Sequence, residues 1–95
     1  MNHQAIGASL DLYNNTSNLA SQKNLPFIMF ETNMPTCGGL PGLSNSFGAA
    51  LWALDYGLTM AVRNFSHALM QFGGQNVFYN VCLPFFPTKL FFIFN

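Results

Sequence analysis

The run Phe27-Ile28-Met29-Phe30 restricts this fold more than any other stretch of the chain. Leu25-Pro26 precedes it, and a proline pushes the residue before it out of the helical region, so the run starts extended. Four apolar residues without polar alternation predict a strand buried on both faces, as in a parallel sheet. The polar cluster Glu31-Thr32-Asn33 begins where that strand would end.

The flanking segments fill in a pattern. Residues 5–22 read as a helix, with Leu12 and Leu19 two turns apart and an Asn-rich middle diluting the period. Residues 34–46, with three Gly and two Pro, form a loop. Ser44 and Ser46 are both candidates to cap the next helix. Residues 47–62 form the most regular helix, with Phe47, Leu51, Leu54, Leu58 and Ala61 on one stripe and Trp52, Tyr56 and Met60 on other faces. A helix apolar nearly all round is expected to be buried on most sides. Ala68–Phe72 predicts a second short strand, and residues 77–81 are compatible with strand or loop. The aromatic segment from Phe85 to Asn95 has no period that assigns it. The order helix, strand, loop, helix, strand is an α/β unit with a right-handed parallel crossover. Two parallel strands do not stand alone, because they need neighbours and covering layers.

Charge leads to the same conclusion. Only 6% of the 95 residues are charged and 51% are apolar, against roughly 25% charged in an average soluble domain. Low charge with high hydrophobicity excludes disorder. Three cations and zero net charge exclude electrostatic nucleic-acid binding. A membrane span is poorly served: residues 47–62 fall short of the roughly 20 apolar residues required, and residues 77–94 contain Pro84, Pro87 and Lys89. The first residues show neither a basic nor a continuous apolar signal region. What remains is a membrane-associated chain or a piece of a larger interior.

Glu31 is the only glutamate and directly follows the predicted strand. In α/β folds, sites form beyond the carboxyl ends of parallel strands. A lone carboxylate there, beside Asn33 and a Gly-rich loop, suits a nucleophile or a general acid/base; a solvated residue opening a loop is the plain alternative. Cys37-Gly38-Gly39-Leu40-Pro41-Gly42 is neither a Walker nor a dinucleotide pattern, although its backbone N–H groups suit an anion. His3 and His67 lack metal-ligand spacing and read as surface or hydrogen-bonded residues. Cys37 and Cys82 are compatible with a disulfide in an oxidising compartment, which their positions do not decide. Asn14, Asn15 and Asn64 each open a glycosylation sequon. Tyr79 stands where a phenol suits either a ligand or a core rim. No metal or cofactor is indicated.

The block FETNMPTCGGLPGLSNSFGAALWALDYGLTMA resembles glycoside hydrolase family 79, the family of fungal β-glucuronidases and heparanase-like enzymes. The resemblance rests on Glu31-Thr32-Asn33, Gly38-Gly39, Pro41-Gly42, Ser44 and the string FGAALWALDY. It is close over residues 25–62 and looser to Pro84, so residues 1–84 are read as part of a hydrolase domain and 85–95 as a divergent apolar tail. The resemblance implies a C-terminal fragment of a (β/α)₈ barrel, about strand 7, helix 7 and strand 8, incomplete on its own. It further implies that Glu31 is the nucleophile of a retaining glycosidase acting on glucuronides, with Asn33, Gly38, Gly39 and Tyr79 as substrate contacts. Retention requires a second carboxyl group about 5–5.5 Å away. Asp11 and Asp55, the other carboxylates, lie in predicted helices, so the acid/base residue is expected outside this chain. Gln71 stands where the family tends to carry a His, and Cys82 where an aromatic or polar residue is usual. The family is typically secreted, which makes an extracellular location the expectation. Exposed apolar faces leave self-association, or a non-catalytic interaction role, as the alternative.

Overall fold

In the computed structural model, the described residues are 2–34, 38–71 and the backbone of 91–93. The elements in chain order are α1 (His3–Asp11), α2 (Asn14–Gln22), β1 (Ile28–Met29), α3 (Phe47–Val62), β2 (His67–Leu69) and β3 (Phe91–Ile93). The sheet order is β1-β2-β3. β1 and β2 are parallel, with Ile28 opposite His67 and Met29 opposite Ala68. The expected parallel crossover is present, and α3 is its helix.

Two turns of the same design set this arrangement. After α2, Asn24 adopts φ 53°, and after α3, Asn64 adopts φ 62°. Left-handed backbone at the residue past a helix end costs Asn less than most side chains. At the first turn, Asn24 N–H donates to the Ser21 carbonyl and Leu25 N–H to Ala20. At the second, Asn64 N–H donates to Ala61 and Phe65 N–H to Met60. Each turn closes the last carbonyls of a helix and feeds directly into a strand. Ser66 then joins the strands below their formal start: its N–H donates to the Phe27 carbonyl at 2.8 Å, and its Oγ accepts from the Phe27 N–H at 3.1 Å.

The core lies between the helices and one face of the sheet. Ile6, Leu10, Met60, Phe65 and Ala68 form its buried centre, with Phe27, Met29, Trp52 and Tyr56 against it. Arg63 clasps α1 to the end of α3, its Nη2 donating to the Gly7 carbonyl at 3.2 Å and the Asp11 carboxylate at 2.9 Å. A Cβ at Gly7 would lie 3.3 Å from that Nη2, so glycine gives the guanidinium its room.

Several expectations need correction. The helix over 5–22 is two helices, interrupted at Leu12 and Tyr13. The break lets Leu10 enter the core while the Tyr13 ring meets Phe65 edge-on at 6.0 Å. Leu12 and Leu19 are therefore exposed rather than core. The α3 span is as predicted, but the helix is not buried on most sides. Ala49, Ala53, Gly57 and Met60 are buried, and Phe47, Leu51, Leu54 and Leu58 are half or more exposed. Small residues let the helix lie close, and the stripe of large ones is offset by two positions, about 200° around the axis.

The strand through Phe27–Phe30 is covered on one side only. Met29 joins the core, while Ile28 is 41% and Phe30 80% exposed. β2 is shorter than expected, ending at Leu69, and β3 lies where the pattern assigned nothing, pairing antiparallel with β2. The possible strand at 77–81 lies outside the described residues. Among the described residues no helix is long and apolar enough to cross a membrane.

Leu10→Ala, at a fully buried position, is expected to cost about 2–5 kcal/mol in urea unfolding. Leu54→Ala, on the exposed stripe, is expected to cost under about 0.5 kcal/mol. The clasp carries a pH signature. The Asp11 carboxyl is held below its ordinary 3.8, first by the hydrogen bond from Arg63 and then by that from Asn14. A carboxylate with a lowered folded pKa stabilises above its unfolded value, and that contribution fades as pH falls through the folded one. The difference in Tm between the chain and Asp11→Asn should therefore be present at pH 5–7 and vanish as pH drops below 3.8.

Candidate functional site

β1 ends with Glu31 exposed two residues beyond Met29, at the carboxyl end of the parallel pair. The residue after it is fastened to β2. Thr32 N–H donates to the Leu69 carbonyl at 3.1 Å, extending the β1–β2 contact past the formal strands. The Tyr56 phenol of α3 lies near the Thr32 hydroxyl. Burial pushes the Tyr56 phenol up, and the Thr32 hydroxyl pulls it the other way. Glu31 thus stands between a strand and an anchored threonine, its carboxylate facing solvent and its backbone fixed on both sides. Asn33 follows, half-buried.

The loop beyond is built around Ser44, which is fully buried. Its Oγ accepts from the Leu40 N–H at 2.8 Å, and its own N–H donates to the Leu40 carbonyl at 2.9 Å. Ser44 is therefore the clamp of the loop, and the helix cap is Ser46 alone, whose Oγ accepts from the Ala49 N–H at 3.3 Å. Gly38 and Gly39 both adopt positive φ, 92° and 86°. Two consecutive residues there require glycine, since a Cβ would meet the following carbonyl. Both are half-buried.

The remaining carboxylates are engaged elsewhere. Asp11 pairs with Arg63, and Asp55 lies 2.7 Å from the His3 ring nitrogen across α1 and α3. His3 is the hydrogen-bonded surface residue expected. His67 is not: its Nδ1 is buried, and no partner stands near it among the described residues. Among the described residues no group of His, Cys, Asp or Glu could hold a metal ion. Of the sequon asparagines, Asn15 is exposed, while Asn14 donates to Asp11 and Asn64 to Asn18. Tyr79, Cys37 and Cys82 lie outside the described residues, and with them the question of a disulfide.

Glu31, Asn33 and Gly38-Gly39 fall within one short stretch of sequence after β1. The approach of the Tyr56 phenol to Thr32 was not readable from the sequence, because a hydroxyl and a phenol far apart in the chain leave no local signal.

Comparison with known proteins bears out the resemblance read from these residues. A β-glucuronidase of Aspergillus niger is 43% identical over 79 aligned residues, which take in 79% of this chain and 15% of that protein. A β-glucuronidase of Neurospora crassa is 40% identical over 77 residues, 77% of this chain and 14% of that protein. The chain thus spans about a seventh of the length of the curated relatives it matches. No family model and no solved structure matches it.

Tyr56→Phe removes the half-buried phenol near Thr32 while keeping the ring stacked on Trp52 at 4.9 Å. It is expected to cost about 1 kcal/mol in unfolding free energy. Faster amide exchange at Thr32 and Asn33, with exchange in the middle of α3 unchanged, should accompany it.

Proposed function

We propose that this chain is the nucleophile-bearing segment of a retaining, β-glucuronidase-type glycoside hydrolase of family 79. The observation that carries the reading is Glu31, the one glutamate, exposed at the carboxyl end of a parallel strand pair within a chain similar to two proteins named β-glucuronidase. In this reading β1, α3 and β2 correspond to strand 7, helix 7 and strand 8 of a barrel.

Glu31 attacks the anomeric carbon of a glucuronide. The bond to the leaving oxygen breaks as a glycosyl ester forms on the carboxylate, and water then cleaves that ester with retention. Asn33, the Gly38-Gly39 turn and the Tyr79 hydroxyl supply donors to sugar hydroxyls and to the glucuronate carboxylate. The proton for the leaving group comes from a carboxylic acid on another part of the protein, because Asp11 is paired with Arg63 and Asp55 is hydrogen-bonded to His3, on the helix layer. The lone chain is therefore inert as a hydrolase. An extracellular setting belongs to the same reading and suits the exposed Asn15 sequon.

The test is to replace the matching segment of the A. niger β-glucuronidase with this chain and assay an aryl β-glucuronide. The chimera should turn over, and Glu31→Gln should lower kcat by roughly 10⁴-fold or more. Glu31→Gly with added azide should form the α-glycosyl azide, since azide takes the nucleophile's place on its own face of the sugar. Full activity in Glu31→Gln would refute the assignment. The lone chain should show no turnover; turnover that disappears in Glu31→Gln would refute its inertness.

A further inference from the structure

α1 and α3 run side by side in the same direction. His3 pairs with Asp55, and Asp11 pairs with Arg63 eight residues further along both. α3 begins at Phe47, eight residues before Asp55, so it runs on for about 12 Å past the first turn of α1. Where it outruns its neighbour, an open hollow of about 250 Å³ remains. Asn2, His3 and Ile6 bound it at the start of α1, and Leu51, Trp52 and Asp55 bound it from α3. The volume lies just below the roughly 300–1,000 Å³ of pockets for drug-sized ligands, so it suits a single ring. None of Glu31, Asn33, Gly38 and Gly39 lines it.

The lining combines a firm apolar wall with free polar groups. Ile6 is buried, and the Trp52 indole is stacked on Tyr56, with centroids 4.9 Å apart and 23° between the planes. The stack holds the indole as a rigid wall. Asn2 Oδ1 accepts from the Ala5 N–H, which leaves the amide Nδ2 to donate. His3 Nδ1 lies 2.7 Å from Asp55 Oδ1, which leaves His3 Nε2 and Asp55 Oδ2 without a hydrogen bond among the described residues. That contact also holds both side chains in place before anything binds, which lowers the entropy lost on binding.

We propose that this hollow binds one neutral pyranose ring. The C–H face of a pyranose is apolar and lies flat against an aromatic ring, while its hydroxyls both donate and accept. Asp55 Oδ2 accepts from one hydroxyl, and Asn2 Nδ2 donates to another. An organic cation also suits Trp52 and Asp55, but it offers no acceptor to the Asn2 amide. A bare aromatic ring leaves the free carboxylate oxygen without a donor. Asp55 gives the hollow a negative charge, so a uronic acid is repelled where an uncharged sugar is held. That preference is the reverse of the one proposed for the strand end, where a glucuronate carboxylate is bound, and it does not depend on the hydrolase reading.

Trp52 is the one tryptophan of the chain, so its fluorescence reports on this hollow. The experiment titrates the full chain with methyl β-D-glucopyranoside at about pH 8, where free imidazole is neutral. Expected is a saturable emission shift with a Kd on the order of millimolar. Methyl β-D-glucuronide should bind about tenfold more weakly, and Asp55→Asn, which removes the charge, should close that gap. Asp55→Ala should weaken the glucoside about tenfold, with far-UV circular dichroism reporting that each variant is folded. No saturable response from the folded chain, a glucuronide bound as tightly as the glucoside, or full affinity in folded Asp55→Ala overturns the inference. So does a response to tetramethylammonium in place of the sugar. A response lost in Glu31→Gln puts the sugar at the strand end and overturns it as well. A saturable response beside an inactive chimera refutes the hydrolase assignment alone, and an active chimera beside a silent Trp52 refutes the pyranose site alone.

Discussion

Phe65 is the residue on which the other packing depends. Its N–H closes α3 through the Met60 carbonyl, and its ring lies 4.6 Å from Phe27 and 6.0 Å from Tyr13. One buried aromatic therefore joins the end of α3, the entry to β1 and the corner between α1 and α2. The left-handed backbone at Asn64 puts it there, since it turns the chain sharply enough for the next side chain to fold back over the helix end. Without that turn Ser66 would not reach Phe27, and the two strands would lose their first contact.

The sequence disclosed spans better than faces. α3 was legible to the residue because a serine cap, an unbroken apolar period and a terminal Asn agree. Its inward side was not legible, because a stripe of Phe and Leu looks like a core when the segment is read alone. In this chain Ala49, Ala53 and Gly57 allow close approach, and the larger residues face out. The break at Leu12-Tyr13 was hidden because Asn-rich segments continue or interrupt a helix with equal ease, and only the distant Phe65 decides. β3 was illegible because a run of Phe without period has no preferred partner until β2 offers an edge. Glu31 was legible from its position alone: a single carboxylate directly after an apolar strand.

The site divides between what one segment holds and what it needs. Glu31 and Asn33 flank Thr32, whose N–H is bonded to Leu69, and the loop that follows is clamped by the buried hydroxyl of Ser44. The geometry around the proposed nucleophile is therefore local. The proposed chemistry is not local, since protonation of a leaving group needs a second carboxyl group and both candidates here are tied into the helix layer. A segment of this kind supplies position without reactivity.

The antiparallel direction of β3 has a topological consequence. Leu69 lies opposite Phe91 and His67 opposite Ile93, so β2 ends and β3 begins at the same end of the sheet. That is the end beyond which Glu31 stands, with Thr32 bonded to Leu69 itself. The exit from β2 and the entry to β3 therefore lie on the rim that carries the carboxylate. A parallel β3 would instead have required the chain to cross to the opposite rim before entering the sheet.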